Sequence, residues 1–414
     1  MTLLVTPNFL THLMNNNIFN KKYLMYWSIL GLLVCDDLEA HSLDTQQFKN
    51  QLTGLAAFTW RSQELVANNE AYLIPGALLG GEALPDHKGA TADELQLAGV
   101  LATDSNYYVI ANLSAHRRET PDIENLYLVA PNISYLANIN LEVGQLTTEV
   151  SEIANWHAPQ SDFSEASLLA DIFFGRHFSD VGLRLSRTFS ALHLGVEVFN
   201  GESWPASTGQ GSASLFAQWQ FNFNLGQFNF NTWGMQSQAK NRSDTRYSGG
   251  HSHGGTIVTS PSTNYFFDGE TNSFGALSEL NVNLGEFNVV AQFEWIRAQS
   301  EGELFSVSQR SLYENDYEGY RVHFSVARNK HRLSVRHEQV ALLNNFLSPV
   351  ASLFPQEANL VNNTFEPTKT IVAWSYQLNS DVRLRLEGLS EKTVSEHSED
   401  KFNLGIVWRR DFLK

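Results

Sequence analysis

The sequence predicts an all-β chain: a single transmembrane antiparallel β-barrel of about sixteen strands, with short periplasmic turns at one end and long external loops at the other. Three observations predict it. Segments of about ten residues alternate apolar and polar side chains along most of the chain. The connections between those segments alternate between tight turns and long stretches. The chain also carries 27 Phe, 13 Tyr and 9 Trp in 414 residues, an aromatic load that needs a surface to occupy, while its one notable apolar run is too short to cross a bilayer as a helix.

That run, Tyr23 to Cys35, reads as part of a signal peptide over residues 1–40. Lys21 and Lys22 supply the charged segment, Tyr23 to Val34 the apolar one, and Leu38-Glu39-Ala40 the cleavage site before His41. Residues 41–414 are then the barrel. A lipid anchor at Cys35 is disfavoured, because Val34 precedes it where lipid-attachment sites carry a small residue. Removing 1–40 removes the only cysteine, which excludes a disulfide, a thiolate metal site and a cysteine nucleophile.

Strands are expected near Leu52–Arg61, Glu94–Thr103, Tyr107–His116, Glu124–Val129, Ala137–Gln145, Asp180–Arg187, Leu192–Phe199 and Ser214–Asn224. The second half follows with Gln227–Met235, Ser273–Asn283, Phe287–Arg297, Tyr317–Ala327, Arg332–Val340, Thr370–Leu378, Asp381–Leu389 and Lys401–Arg410. In the last of these, Phe402, Leu404, Ile406 and Trp408 share one face, and Asn403, Gly405, Val407 and Arg409 share the other. Likewise Val382, Leu384 and Leu386 oppose Arg383, Arg385 and Glu387. An arginine facing lipid at mid-membrane costs about 2–4 kcal/mol, so charged and apolar neighbours must face opposite environments.

Asp104-Ser105, Leu225-Gly226, Asn329-Lys330 and Asn379-Ser380 read as tight turns. The stretches from Ser62, Leu146, Gln236, Ala298 and Ala341 read as long loops. The tight turns follow even-numbered strands, which puts the start of the barrel and the turns on the periplasmic side. The alternating aromatics ending at Phe412 are like a C-terminal assembly signal read by the barrel assembly machinery, though Leu413 and Lys414 stand where a terminal aromatic is usual. The expected location is the cell outer membrane of a Gram-negative bacterium, with outer-membrane lipid around the wall.

The net charge of −16 excludes nucleic acid as a partner, because phosphate binding needs a basic face. A nucleophile with its base, paired carboxylates at usable spacing and a phosphate-cradling glycine loop were each sought, and no catalytic residue emerges. The chain is therefore not expected to be an enzyme. A TonB-dependent transporter is excluded by size, since such barrels have about twenty-two strands and a plug that the segment from His41 to Asn50 cannot supply.

The stretch Leu141 to His157, followed by Ala158-Pro159, Phe173-Phe174-Gly175 and Asp180-Val181-Gly182-Leu183, resembles porin-like barrels related to phosphate-selective porins O and P, and especially their zinc-regulated outer-membrane relatives. Gly144-Gln145-Leu146 stands where that group has Gly-Lys-Phe, and His157 stands where it has a loop histidine. The resemblance covers about Glu94 to Ser207 and continues weakly through the His251-Ser-His253 loop. It implies a sixteen-stranded barrel, admits a homotrimer, and implies that the loop over 146–179 folds inward to narrow a pore.

On these face assignments, Arg184, Arg321, Arg332, Arg336, Arg383, Arg385 and Arg409 point into the lumen, with Glu197, Glu279 and Glu294 across from them. They form either a transverse field in a pore or pairs closed within the wall, as Arg336 with Glu338 and Arg385 with Glu387 would be. The function expected is passive diffusion of small hydrophilic solutes or ions. No cofactor is expected, unless Zn²⁺ binds His251 and His253 of the external loop, with His157, His177 or Asp268 completing the set, in which case metal capture is the alternative. A surface-binding structural barrel with a blocked lumen is the third reading.

Overall fold

The computed structural model describes residues 50–63, 72–84, 87–103, 107–116, 121–133, 139–244, 246, 264–362, 365–393 and 399–413. The expected signal peptide, the Asp104-Ser105 turn and the pair His251 and His253 lie outside the described residues.

Sixteen antiparallel strands follow one another around a closed barrel, in which the first pairs with the last. The first eight are β1 (Gln51–Arg61), β2 (Gly89–Ala102), β3 (Tyr108–His116), β4 (Asp122–Ile133), β5 (Ile139–Thr147), β6 (Ser179–Phe189), β7 (Leu192–Phe199) and β8 (Ser212–Phe223). The rest are β9 (Gly226–Arg242), β10 (Phe266–Leu284), β11 (Phe287–Phe305), β12 (Arg310–Arg328), β13 (His331–Phe346), β14 (Thr368–Gln377), β15 (Val382–Lys392) and β16 (Glu399–Leu413). Closure gives every described strand a partner on both sides, the condition for a sheet to span a membrane.

Alternation locates these strands because lipid and lumen demand opposite chemistry at every second residue. Leu404 and Ile406 are about half exposed on the outer face of β16, whereas Asn403 and Val407 are buried inside. The short-turn end is equally regular. Ser190, Gly285 and Asn329 adopt positive φ in the two-residue links of the β6–β7, β10–β11 and β12–β13 hairpins.

Where the strands differ from expectation is at the long-loop end. β10, β11 and β12 each run to 19 residues. The outer face of β11 continues past Trp295 as Arg297, Gln299, Glu301 and Glu303, with Arg297 paired to Asp316 on β12 at 2.5 Å. Above the lipid both faces meet polar surroundings, so the apolar alternation ends while the hydrogen-bond ladder continues.

The interior is less polar than alternation alone suggests. Phe216 on β8, Trp233 and Met235 on β9, Ile296 and Ala298 on β11, Tyr317 on β12 and Val340 on β13 form an apolar patch on the inner wall. Two of its rings lie over glycines on the neighbouring strand. Gly195 opposes Phe216 and Gly275 opposes Trp233, and a Cβ on Gly195 would stand 2.1 Å from the Phe216 ring. Gly195→Ala is therefore expected to lower stability by about 1–3 kcal/mol, read as a lower urea midpoint of the folded barrel in lipid vesicles. An unchanged midpoint would mean that the ring rotates away freely.

Candidate functional site

Residues 148–178, which join β5 to β6, run through the inside of the barrel and cover that apolar patch. Their short helix α1 (Leu168–Phe173) is capped by Ser167, whose hydroxyl accepts from the Leu169 amide. Leu168, Leu169, Ile172, Phe173 and Phe174 are buried against the inner wall, together with Tyr72 and Ile74 from the segment between β1 and β2. Phe163 packs on Ile371, Ala373 and Leu389, and Ala158 packs on Ala57 and Val407. Burying each large side chain contributes roughly 1.5–3 kcal/mol, which is why this segment turns inward rather than into water.

Charged wall residues fix it there. Glu338 accepts from the Leu168 amide at 2.8 Å, where a carboxylate also suits the N-terminus of α1. Glu387 accepts from the Ser164 amide at 2.7 Å and from its hydroxyl. Glu294 takes the Ser151 hydroxyl, and Glu197 takes the Glu149 amide at 3.0 Å and the Thr148 hydroxyl at 2.6 Å. Arg336 donates to the carbonyls of Glu165 and Ala166, both at 2.9 Å, and Arg385 donates to that of Ala158 at 3.3 Å. Arg61 binds Glu165 and Asp93, each at 2.7 Å.

The wall charges named from the sequence thus occupy different positions. Arg336 and Arg385 also contact Glu338 and Glu387 at 3.0 Å, while Arg184 meets Glu197 at 2.8 Å and Glu142 at 2.6 Å, and Arg321 meets Glu294 at 3.0 Å. Arg332 and Arg383 face the loop carboxylate Asp162 at 3.3 and 3.6 Å. Glu279 accepts from Asn229 and Gln292. Arg409 stands apart, largely exposed near the end of β16 beside Asp411.

Among the described residues, two cavities of several hundred Å³ border the loop. One of about 660 Å³ is lined by Glu149, Glu152 and Asp162 of the loop and by Arg184, Arg321, Arg332 and Arg336 of the wall. The other, of about 430 Å³, lies toward the long-loop end and is lined by Glu82, Glu124, His177, Trp204 and Arg242 among others.

Between them stands a cluster that the sequence reading did not assemble. His157 Nδ1 lies 2.7 Å from Glu94 on β2, and its Nε2 lies 3.7 Å from Glu124 on β4 and 3.3 Å from His177. His116 at the end of β3 contacts Glu124 at 2.5 Å. Both carboxylates sit at β-bulges. The register skips one residue between Ala57 and Phe58 of β1, and Asp93 and Glu94 are both buried opposite that step. It skips again between Asn112 and Leu113, and Glu124 and Asn125 are both buried. A bulge re-aims a side chain in this way, and bulges are common next to functional sites.

The electrostatics of the loop histidines follow from this packing. Burial opposes a charge on His157, but the hydrogen bond with Glu94 outweighs it and holds the pKa above the ordinary value. His177, buried and facing His157, is pushed down to about 3. It is a neutral imidazole.

No family model matches the chain, and no curated protein matches it by sequence. Solved structures do match its fold. It is similar to a loop L8 deletion mutant of OmpT, an outer membrane protein of Vibrio cholerae, with a TM-score of 0.53 and 12% identity over 87% of this chain and 99% of that one. It is also similar to Pseudomonas putida OprB, with a TM-score of 0.52 and 10% identity over 88% of this chain and 94% of that one. The fold is that of outer-membrane β-barrels of porin type. With its apolar outer face, such a closed barrel resides in the outer membrane.

Proposed function

We propose that the protein is a porin-type channel for passive diffusion of small hydrophilic solutes or ions, narrowed by the loop over 148–178. The observation that carries this reading is the cavity of about 660 Å³, with loop carboxylates on one side and wall guanidiniums on the other. Opposed charges across a narrow aqueous passage orient dipolar solutes without binding them tightly. On this reading the barrel is akin to phosphate-selective and zinc-regulated porins and assembles as a homotrimer, as OmpT of similar fold does in its trimer form.

The direct test is planar-bilayer recording with the refolded protein. Discrete, stable conductance steps are expected. Verified folded barrel that inserts but gives no steps would sink the diffusion reading and favour a surface-binding barrel with a closed lumen.

A further inference from the structure

We propose that Glu94, His116, Glu124 and His157 form a binding site for one divalent transition-metal cation of the Zn²⁺ class, approached from the long-loop end of the barrel. One ligand atom from each of the four lies within 4.8 Å of the others. Two of the ligands are imidazoles and two are carboxylates, a donor set that suits Zn²⁺ and its neighbours better than Mg²⁺ or Ca²⁺, which prefer oxygen alone. Ligand atoms at zinc bond lengths in a tetrahedron stand about 3.3 Å apart. His116 to Glu124 at 2.5 Å and His157 Nδ1 to Glu94 at 2.7 Å are already inside that spacing, and Glu94 and Glu124 are almost fully buried.

The surroundings hold these side chains in place. Asn112 donates to Glu124 at 2.8 Å, Ser114 to Glu94 at 3.2 Å, and the Ala158 amide to Glu94 at 3.0 Å. Asn155 Oδ1 lies 3.1 Å from His157 Nε2 and accepts from it, so the ligand atom is Nδ1, which lies 2.7 Å from Glu94 and 3.0 Å from Gln96 Nε2 and gives up its proton when an ion binds. Such outer contacts fix the tautomer and ring orientation of metal-bound histidines. The two β-bulges bring Glu94 and Glu124 inward, each beside another inward-facing residue.

A second set, Glu82, His116 and His177, shares His116 with the first. Glu82, Glu124 and His177 line the cavity of about 430 Å³, which gives an ion a polar route to the four ligands. His157 belongs to the loop and Glu94, His116 and Glu124 to the wall. A bound cation therefore ties residues 148–178 to β2, β3 and β4. This goes beyond diffusion and stands independently of it.

The test is a Co²⁺ titration of chelator-treated, folded barrel in detergent, followed by visible absorption and then by displacement with Zn²⁺. The expected result is a saturable absorption at one Co²⁺ per barrel, removed by Zn²⁺. It should be absent from the His116→Ala/His157→Ala double variant and retained when His251 and His253 are changed to Ala. Glu94→Gln keeps the shape of the side chain and should weaken binding by about tenfold or more. It decides the matter if the double variant does not fold. No saturable signal in the unchanged protein, binding unaffected by Glu94→Gln, or binding lost only with His251 and His253 would each overturn the proposal. The readout is binding, so a non-conducting barrel leaves it intact.

Discussion

Arg61→Met is expected to destabilise the folded barrel by about 3–5 kcal/mol, the usual cost of leaving buried charges without their partner. Arg61 ends β1 and is buried inside the wall. Its Nε donates to Glu165 and its Nη1 to Asp93 and Thr91, all at 2.7 Å, while Nη2 lies 3.4 Å from the Ser164 carbonyl. Methionine fills much of the volume but abandons two buried carboxylates, one on the wall and one on the loop. Urea unfolding in lipid vesicles, followed by tryptophan fluorescence, reads the loss. Because Glu165 belongs to the inward segment, the same variant should also conduct with more current noise. Adding Glu165→Gln removes one of the stranded charges and should recover part of the stability, a coupling that a double-mutant cycle isolates. A loss under about 1 kcal/mol would mean that the pair is hydrated and behaves as a surface contact.

How much of this was legible in the sequence depends on which residues obey period two. Every expected strand has its counterpart, because residues such as Phe402, Leu404 and Ile406 face lipid and cannot change side without penalty. The upper ends of β10 to β12 were not legible, since Glu301 and Glu303 on the outer face carry no apolar signal. Nor was the apolar patch inside the barrel. Phe216 stands in phase with Gln218 and Gln220 and reads as a lapse in a polar face until Leu168, Leu169 and Phe173 are placed near that wall.

The histidine and glutamate cluster was hidden for a different reason. Asp93-Glu94 and Glu124-Asn125 are consecutive polar residues, and strict alternation sends one of each pair toward lipid. The bulges bring both inward. Two adjacent polar residues inside an otherwise alternating strand are the signal that could have marked both sites, and Glu94 facing His116 across the β2–β3 pair is the second. His157 was visible as a loop histidine, but its neighbours come from three different strands. Only closure of the barrel and the inward path of the loop bring them together.

Asp162→Asn is expected to shift the channel toward anions. Asp162 projects from the loop toward Arg332 at 3.3 Å, Arg383 at 3.6 Å and His323 at 3.5 Å, and accepts the Ser334 hydroxyl at 2.8 Å. The amide keeps the size and one hydrogen-bonding oxygen but removes the negative charge that offsets two guanidiniums. A mobile ion passing roughly 8 Å away in water-like surroundings gains or loses about 0.5 kcal/mol from one charge, and because cation and anion shift in opposite senses their permeability ratio changes by up to about fivefold before salt screening. The reversal potential under a KCl gradient should move in the anion-selective direction by that amount. Burial acts to raise the Asp162 pKa, but the His323 hydrogen bond, the Arg332 charge and the Ser334 hydroxyl outweigh it and hold the carboxyl well below its ordinary range. A depressed folded pKa means that its stabilising contribution is complete above the unfolded value of about 3.9 and is lost only as pH falls through the lower folded value. The selectivity difference between unchanged and substituted barrels should therefore persist from neutral pH down to about 4. Equal reversal potentials at neutral pH would show that permeating ions do not pass Asp162, and would place the conducting path on the other side of the loop.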